Sequence, residues 1–147
     1  MTADVSDSAG NAAAQATKTI THDAASPSGY TVSIDQDPIN DSNKAAVSFT
    51  FAGAEVGATF NYTFSDGSAG ANVTGTGTIT SATQTIASIN LSAQADGTTT
   101  LPVTLTDPSG NTGAAATDTS TRDTAAPTGY TAAINENPIN AANKAAV

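Results

Sequence analysis

Cysteine is missing from this 147-residue chain, so neither disulfides nor thiolate metal sites can brace its fold. Packing and hard cations remain as supports. Basic residues are nearly as scarce: Lys18, Lys44, Arg122 and Lys144 are the whole set. They are too scattered to form the basic patch that a phosphate backbone needs, which excludes nucleic acid as a partner. No apolar run approaches the length of a membrane span and there is no basic amphipathic helix, so membrane insertion is excluded as well. Histidine occurs once, and where His22 would recur one period later the chain carries Arg122. A repeated catalytic role for it is thereby set aside. The lone GTG at 75–77 has no helix after it and reads as a turn, not a phosphate loop.

What the chain has in abundance is itself. The stretch from Asp7 to Val47 returns 100 residues later, without a gap, as Asp107 to Val147. Counted from position 1, roughly half of the 47 overlapping positions are identical, among them DxAxPxGYTxxI, PIN and NKAAV. A fixed period of this length means one structural unit per period, stacked in a line. One complete unit fits, 23–123, with 1–22 matching the end of a preceding unit and 124–147 the start of a following one. Neither flank is long enough to hold a core of its own. HDAASP and RDTAAP have the look of joints, small, polar and ended by Pro27 and Pro127, which hold the preceding residue extended.

Within the unit, apolar residues alternate at period two in short runs bounded by Gly, Asp, Asn and Ser, the pattern of half-buried antiparallel strands. Val47, Phe49 and Phe51 share a face, as do Phe60, Tyr62 and Phe64, and Leu101, Val103 and Leu105. Strands are expected at 30–35, 44–51, 59–65, 74–81, 83–91, 98–105 and 113–121. Seven strands in about 100 residues indicate an all-β, immunoglobulin-like antiparallel sandwich repeated in tandem. The Ala, Ser and Thr runs also suit a low-complexity linker, but apolar triplets with interspersed turns are not linker composition.

Antiparallel order sorts the loops by end. The chain enters at what we term the near end, where Asp107 and Asn111 lie in TDPSGN. At the opposite far end lie Asp35, Asp37 and Asp41 in SIDQDPIND, Asp66 in FSDGS and Asp96 in QADGT, while Asp23 and Asp123 mark the joints. Thirteen acidic residues, 11 of them Asp, stand against four basic ones for a net charge of −9. Carboxylates gathered at the ends of stacked modules repel unless a cation sits among them. Calcium suits that demand, since it takes six to eight oxygens in loose geometry from Asp, Asn and turn carbonyls; magnesium is stricter. Any single Asp is equally well read as a turn residue and a solubilising charge. Asp123 with at least one far-end acid is where calcium is favoured. Asp118, in mid-strand, reads as a solvated edge charge. No stretch has EF-hand spacing, and the sequons at Asn61, Asn72 and Asn90 are chance matches in Thr-rich strands.

DxxxPxGY at the joint, ADGTxxLxVTLTDxxGNTG near the unit's end and the period together resemble the bacterial immunoglobulin-like repeats in the extender region of large, type I-secreted RTX-type adhesins. The resemblance covers the whole chain. It implies a non-catalytic rod at the bacterial cell surface, stiffened by Ca2+ at the linkers, whose partners are identical repeats in the same chain and whose distal ligand is bound by other domains. The linker acid then maps to Asp23 and Asp123, the ADG acid to Asp96, and the DxxGN loop to Asp107 and Asn111. One departure is that Asp35, Asp37 and Asp41 become Asn135, Asn137 and Ala141 in the second copy. The alternative function is an adhesive module that itself binds a carbohydrate or protein, for which Tyr30 is the best candidate outward aromatic, although its return as Tyr130 beside a joint suggests packing against the linker.

Overall fold

The computed structural model describes residues 1–68, 70–133, 140–142 and 144–145. Nine strands are assigned among them: β1 (Thr2–Ala3), β2 (Ala16–Thr17), β3 (Thr31–Ile34), β4 (Val47–Ala52), β5 (Thr59–Phe64), β6 (Val73–Thr78), β7 (Gln84–Ile89), β8 (Gly97–Thr106) and β9 (Ala116–Arg122). All pairing between them is antiparallel. The last seven build the expected immunoglobulin-like sandwich, a three-stranded sheet in the order β3-β4-β7 facing a four-stranded sheet in the order β6-β5-β8-β9. The fourth strand of the sandwich, β6, stays with β5 by hairpin pairing from Thr59↔Thr78 to Phe64↔Val73.

The period-two alternation does in the structure what it implies. Val47, Phe49 and Phe51 on β4 and Leu101, Val103 and Leu105 on β8 are fully buried, and Phe60 and Phe64 reach the same core from β5. Phe49 is the hub, with ring centroids 5.3 Å from Phe51, 5.3 Å from Tyr62 and 6.1 Å from Phe64, all edge-on. Such pairs each add about 0.5–1.5 kcal/mol beyond the area they bury. A bulge between Val47 and Phe49 shifts the register against β7, where Ser88 takes φ 63°.

Two sequence expectations change here. Gly75 and Gly77 are not a turn; they lie inside β6, as the strand expected at 74–81 has it, opposite Tyr62 and Phe60. The two rings lie across the β6 backbone. A Cβ on Gly75 would stand 2.5 Å from the Tyr62 ring, and one on Gly77 2.7 Å from the Phe60 ring. Asp118 is likewise no solvated edge charge. Its Oδ2 accepts the N–H of Ile34 at 2.8 Å, joining the two sheets where β3 ends. Beyond that point the chain crosses to β9, with Ile39 bridging Arg122 in parallel.

β1 and β2 repeat a piece of the sandwich. Their pairs Thr2↔Thr17 and Ala3↔Ala16 stand 100 residues before Pro102↔Thr117 and Val103↔Ala116 of β8 and β9. The connecting turns match as well, Gly10 at φ 86° and Gly110 at φ 93°. Asn135 and Asn137, within the flank expected to open a following repeat, lie outside the described residues.

The two glycines should respond unequally to a methyl group. Gly77→Ala presses on buried Phe60 and is expected to cost about 1–3 kcal/mol in urea denaturation. Gly75→Ala should cost less, because Tyr62 is only half-buried and can swing outward.

Candidate functional site

At the near end, the turn between β8 and β9 is organised by one carboxylate. Asp107 Oδ1 accepts the backbone N–H groups of Ser109 and Asn111, each at 2.8 Å, and Oδ2 accepts Asn111 Nδ2 at 2.8 Å. The side-chain bond from Asn111, ahead of the backbone donors, holds the Asp107 carboxyl below its ordinary value of 3.8. Asp7 and Asn11 form the same turn 100 residues earlier. Asn111 Nδ2 also donates to the Asp23 carbonyl at 3.2 Å, and Ser109 Oγ donates to Asp23 Oδ2 at 3.3 Å. Asp23, Asp107 and Asn111 therefore do come together, as parts of a polar clasp between linker and turn.

Two further contacts seat the linker. Gly113 passes so close that a Cβ there would lie 2.1 Å from the Pro27 carbonyl oxygen. Tyr30, only 7% exposed, buries its ring and is not the outward aromatic expected of an adhesive module. Its hydroxyl donates to the Ala114 carbonyl at 2.6 Å, lies 3.2 Å from the Val103 carbonyl and accepts the Leu105 N–H at 3.3 Å. The aromatic that follows the linker is thus bolted to β8 and to the segment that leads into β9. Tyr130, its counterpart one period on, is 82% exposed.

The far end is different: its acids are spread over separate turns. Asp35 accepts from Ser48 Oγ at 2.6 Å and Thr50 Oγ1 at 3.0 Å. Asp37 accepts from Ser120 Oγ at 3.1 Å and the Thr121 N–H at 3.3 Å. Asp66 ties two loops by accepting the Ala95 and Ser68 N–H groups at 2.7 and 2.8 Å, the former being the main reason its carboxyl lies below the usual range. Asp96 accepts from the Arg122 guanidinium and from Thr124, through its N–H at 3.1 Å and its hydroxyl at 3.0 Å. Asp123 accepts the Ala125 N–H at 3.0 Å. An open cleft of about 370 Å³ has Asp41 and Asp123 on its walls with Asn40, Ser42 and Thr124.

The donors can be tested against calcium. Among the described residues no three acidic or histidine side chains converge as a metal site requires. The ion pairs among those residues, Lys44–Asp41 and Arg122–Asp96, both lie at the far end and set protein cations among its acids. Around Asp96 the donor set does not fit a dication. At the near end Asp23 keeps one carboxylate oxygen held only by the Ser109 hydroxyl. That oxygen has the hard character calcium takes. Arg122 and Thr124 were not singled out from sequence. Counting back along the β8–β9 hairpin, which pairs Gly97 with Arg122, would have placed Asp96 beside Arg122.

The hydrogen-bonded carboxylates carry a pH signature. Asp66 and Asp107 have lower values folded than unfolded, so their contribution is complete above the ordinary 3.8 and is lost as pH falls through the folded values. Denaturation midpoints should be level from about pH 7 to 5 and drop below about pH 4, with a shallower acid limb in Asp107→Asn.

No family model and no curated protein matches the chain. Among solved structures it is similar to one described as "Crystal structure of tetra-tandem repeat in extending region of large adhesion protein", at 27% identity and a TM-score of 0.52. The likeness covers 81% of this chain and spans 29% of that one, so this chain is similar to part of a tandem repeat array from an adhesion protein.

Proposed function

We propose that the chain is a non-catalytic extender segment of a large, secreted bacterial surface adhesin, in which 23–123 is one spacer and the flanks belong to its neighbours. The observation that carries this reading is the linker clasp. Tyr30, Asp23 and the Pro27–Gly113 contact fix the incoming chain to the β8–β9 turn, and the same turn recurs 100 residues earlier in the Asp7–Asn11 hairpin. A linker held in this way transmits orientation from one unit to the next. Likeness to a repeat from the extending region of a large adhesion protein points the same way.

The adhesive alternative has less to stand on. Within 23–123, Tyr30 and the four phenylalanines are buried and Tyr62 is half-buried, leaving no aromatic platform for a sugar. In the extender reading, the distal ligand is held by other parts of the adhesin. Calcium at the Asp23 joint, shared with the far-end loops of the preceding unit, would cancel their charge and fix the angle between units, at an affinity of about 10⁻⁴ to 10⁻³ M.

Small-angle scattering from an array of several units tests this. Strands of about seven residues with end loops give a rise on the order of 40 Å per unit, and the array should scatter as a rod of that rise. A chelator should broaden the distribution of end-to-end distances. An array that scatters as a flexible chain in calcium contradicts the spacer reading, and a profile indifferent to chelator contradicts the calcium part alone.

A further inference from the structure

Arg122 closes β9 with a side chain only 5% exposed, beside the acids of the far end. Its guanidinium donates to Asp96, and Asp96 also accepts the N–H and hydroxyl of Thr124, the second residue of the outgoing linker. The backbone around it is pinned in both directions, with the Ile39 N–H donating to the Thr121 carbonyl and the Asp123 N–H donating to the Ile39 carbonyl, each at 2.9 Å. The charge of Arg122 also reaches across to Asp41, whose carboxyl lies below its ordinary value first through Lys44 and then through Arg122. The burial has a cost: Nε has no hydrogen-bond partner. A guanidinium is always charged, and this one is buried while the Asp96 side chain it meets is 40% exposed.

The counterpart joint differs at both clamping positions. Where the outgoing joint reads Arg122-Asp123-Thr124, the incoming one reads His22-Asp23-Ala24. The acid is retained, while the cation and the hydroxyl that engage Asp96 are both replaced. We infer that Arg122 is the resident cation of the outgoing joint: it clamps Asp96 to Thr124 and closes that joint without metal, whereas a joint built on His22 and Ala24 has no such clamp and depends on a divalent cation. A dication taking Asp96 as ligand would have to displace the guanidinium or sit beside a buried like charge. The array then holds two kinds of joint, one that calcium withdrawal loosens and one that it leaves closed.

This inference rests on the extender reading for its purpose, not for its geometry, and a different experiment decides it. The 147-residue chain is melted in about 1 mM calcium and in excess chelator, alongside Arg122→His/Thr124→Ala, which converts the outgoing joint to the incoming type. The unaltered chain should melt at the same temperature in both. The double variant should melt lower in chelator by about 5 °C or more, and calcium should recover part of the loss. Terbium luminescence reports ion binding directly, and signal from the unaltered chain should be indifferent to Asp96→Asn. Binding by the unaltered chain that Asp96→Asn abolishes would overturn the inference, as would a double variant whose melting ignores calcium. If the double variant does not fold, the terbium titration with and without Asp96→Asn decides alone. A flexible array in scattering would sink the spacer reading and leave these outcomes unchanged.

Discussion

Each carboxylate at the ends of this sandwich has to find hydrogen-bond donors in its own turn or a cation across the joint, because four basic residues cannot neutralise thirteen acids. Most of the end acids are met locally. Asp107, Asp66 and Asp123 accept backbone N–H groups, so the residues that charge the ends also shape the loops. Short side chains make this possible, since an Asp oxygen reaches the amide two residues on, and that accounts for Asp outnumbering Glu in the loops. The two end acids that find a protein cation, Asp41 and Asp96, both lie where the chain leaves the unit.

The same economy governs the joint. An incoming linker of small residues has little surface with which to bury itself, so its position is set by a few directional contacts instead. Tyr30 supplies the apolar part through its ring and the directional part through its hydroxyl, which meets backbone groups of β8 and of Ala114 just before β9. Gly113 leaves room for the Pro27 carbonyl. Fixing a chain at the backbone level tolerates variation in surface side chains, which fits copies that keep GYT and the joint Asp while Asp35, Asp37 and Asp41 give way to Asn and Ala.

The core was legible from sequence because burying one face of a strand writes a period of two. The triplets on β4 and β8 occupy the interior as read, and the seven strands fall within a few residues of their expected places. The side of β6 was not legible, since glycine shows no face: Gly75 and Gly77 make sense only once the rings of Tyr62 and Phe60 are seen to need their space. Asp118 misled because mid-strand charge is usually solvated, and its acceptor role depends on where β3 parts from β4. At the joints, Asp23, Asp107 and Asn111 could be grouped from loop order alone. The clamp of Arg122 on Asp96 could not, because one cation beside a joint makes no pattern until hairpin register sets the two chain segments side by side.

The extender reading proposed for this chain requires a sandwich that is self-contained within each 100-residue period and joined to its neighbour through the linker. Single-molecule extension of a multi-unit array measures this most directly. One unit of about 100 residues, at about 3.5 Å per extended residue less on the order of 40 Å of folded length, should release about 300 Å per event in a regular ladder of steps. Steps of half that size, or lengths with no common increment, would show that the period does not mark the folding unit and would contradict the account.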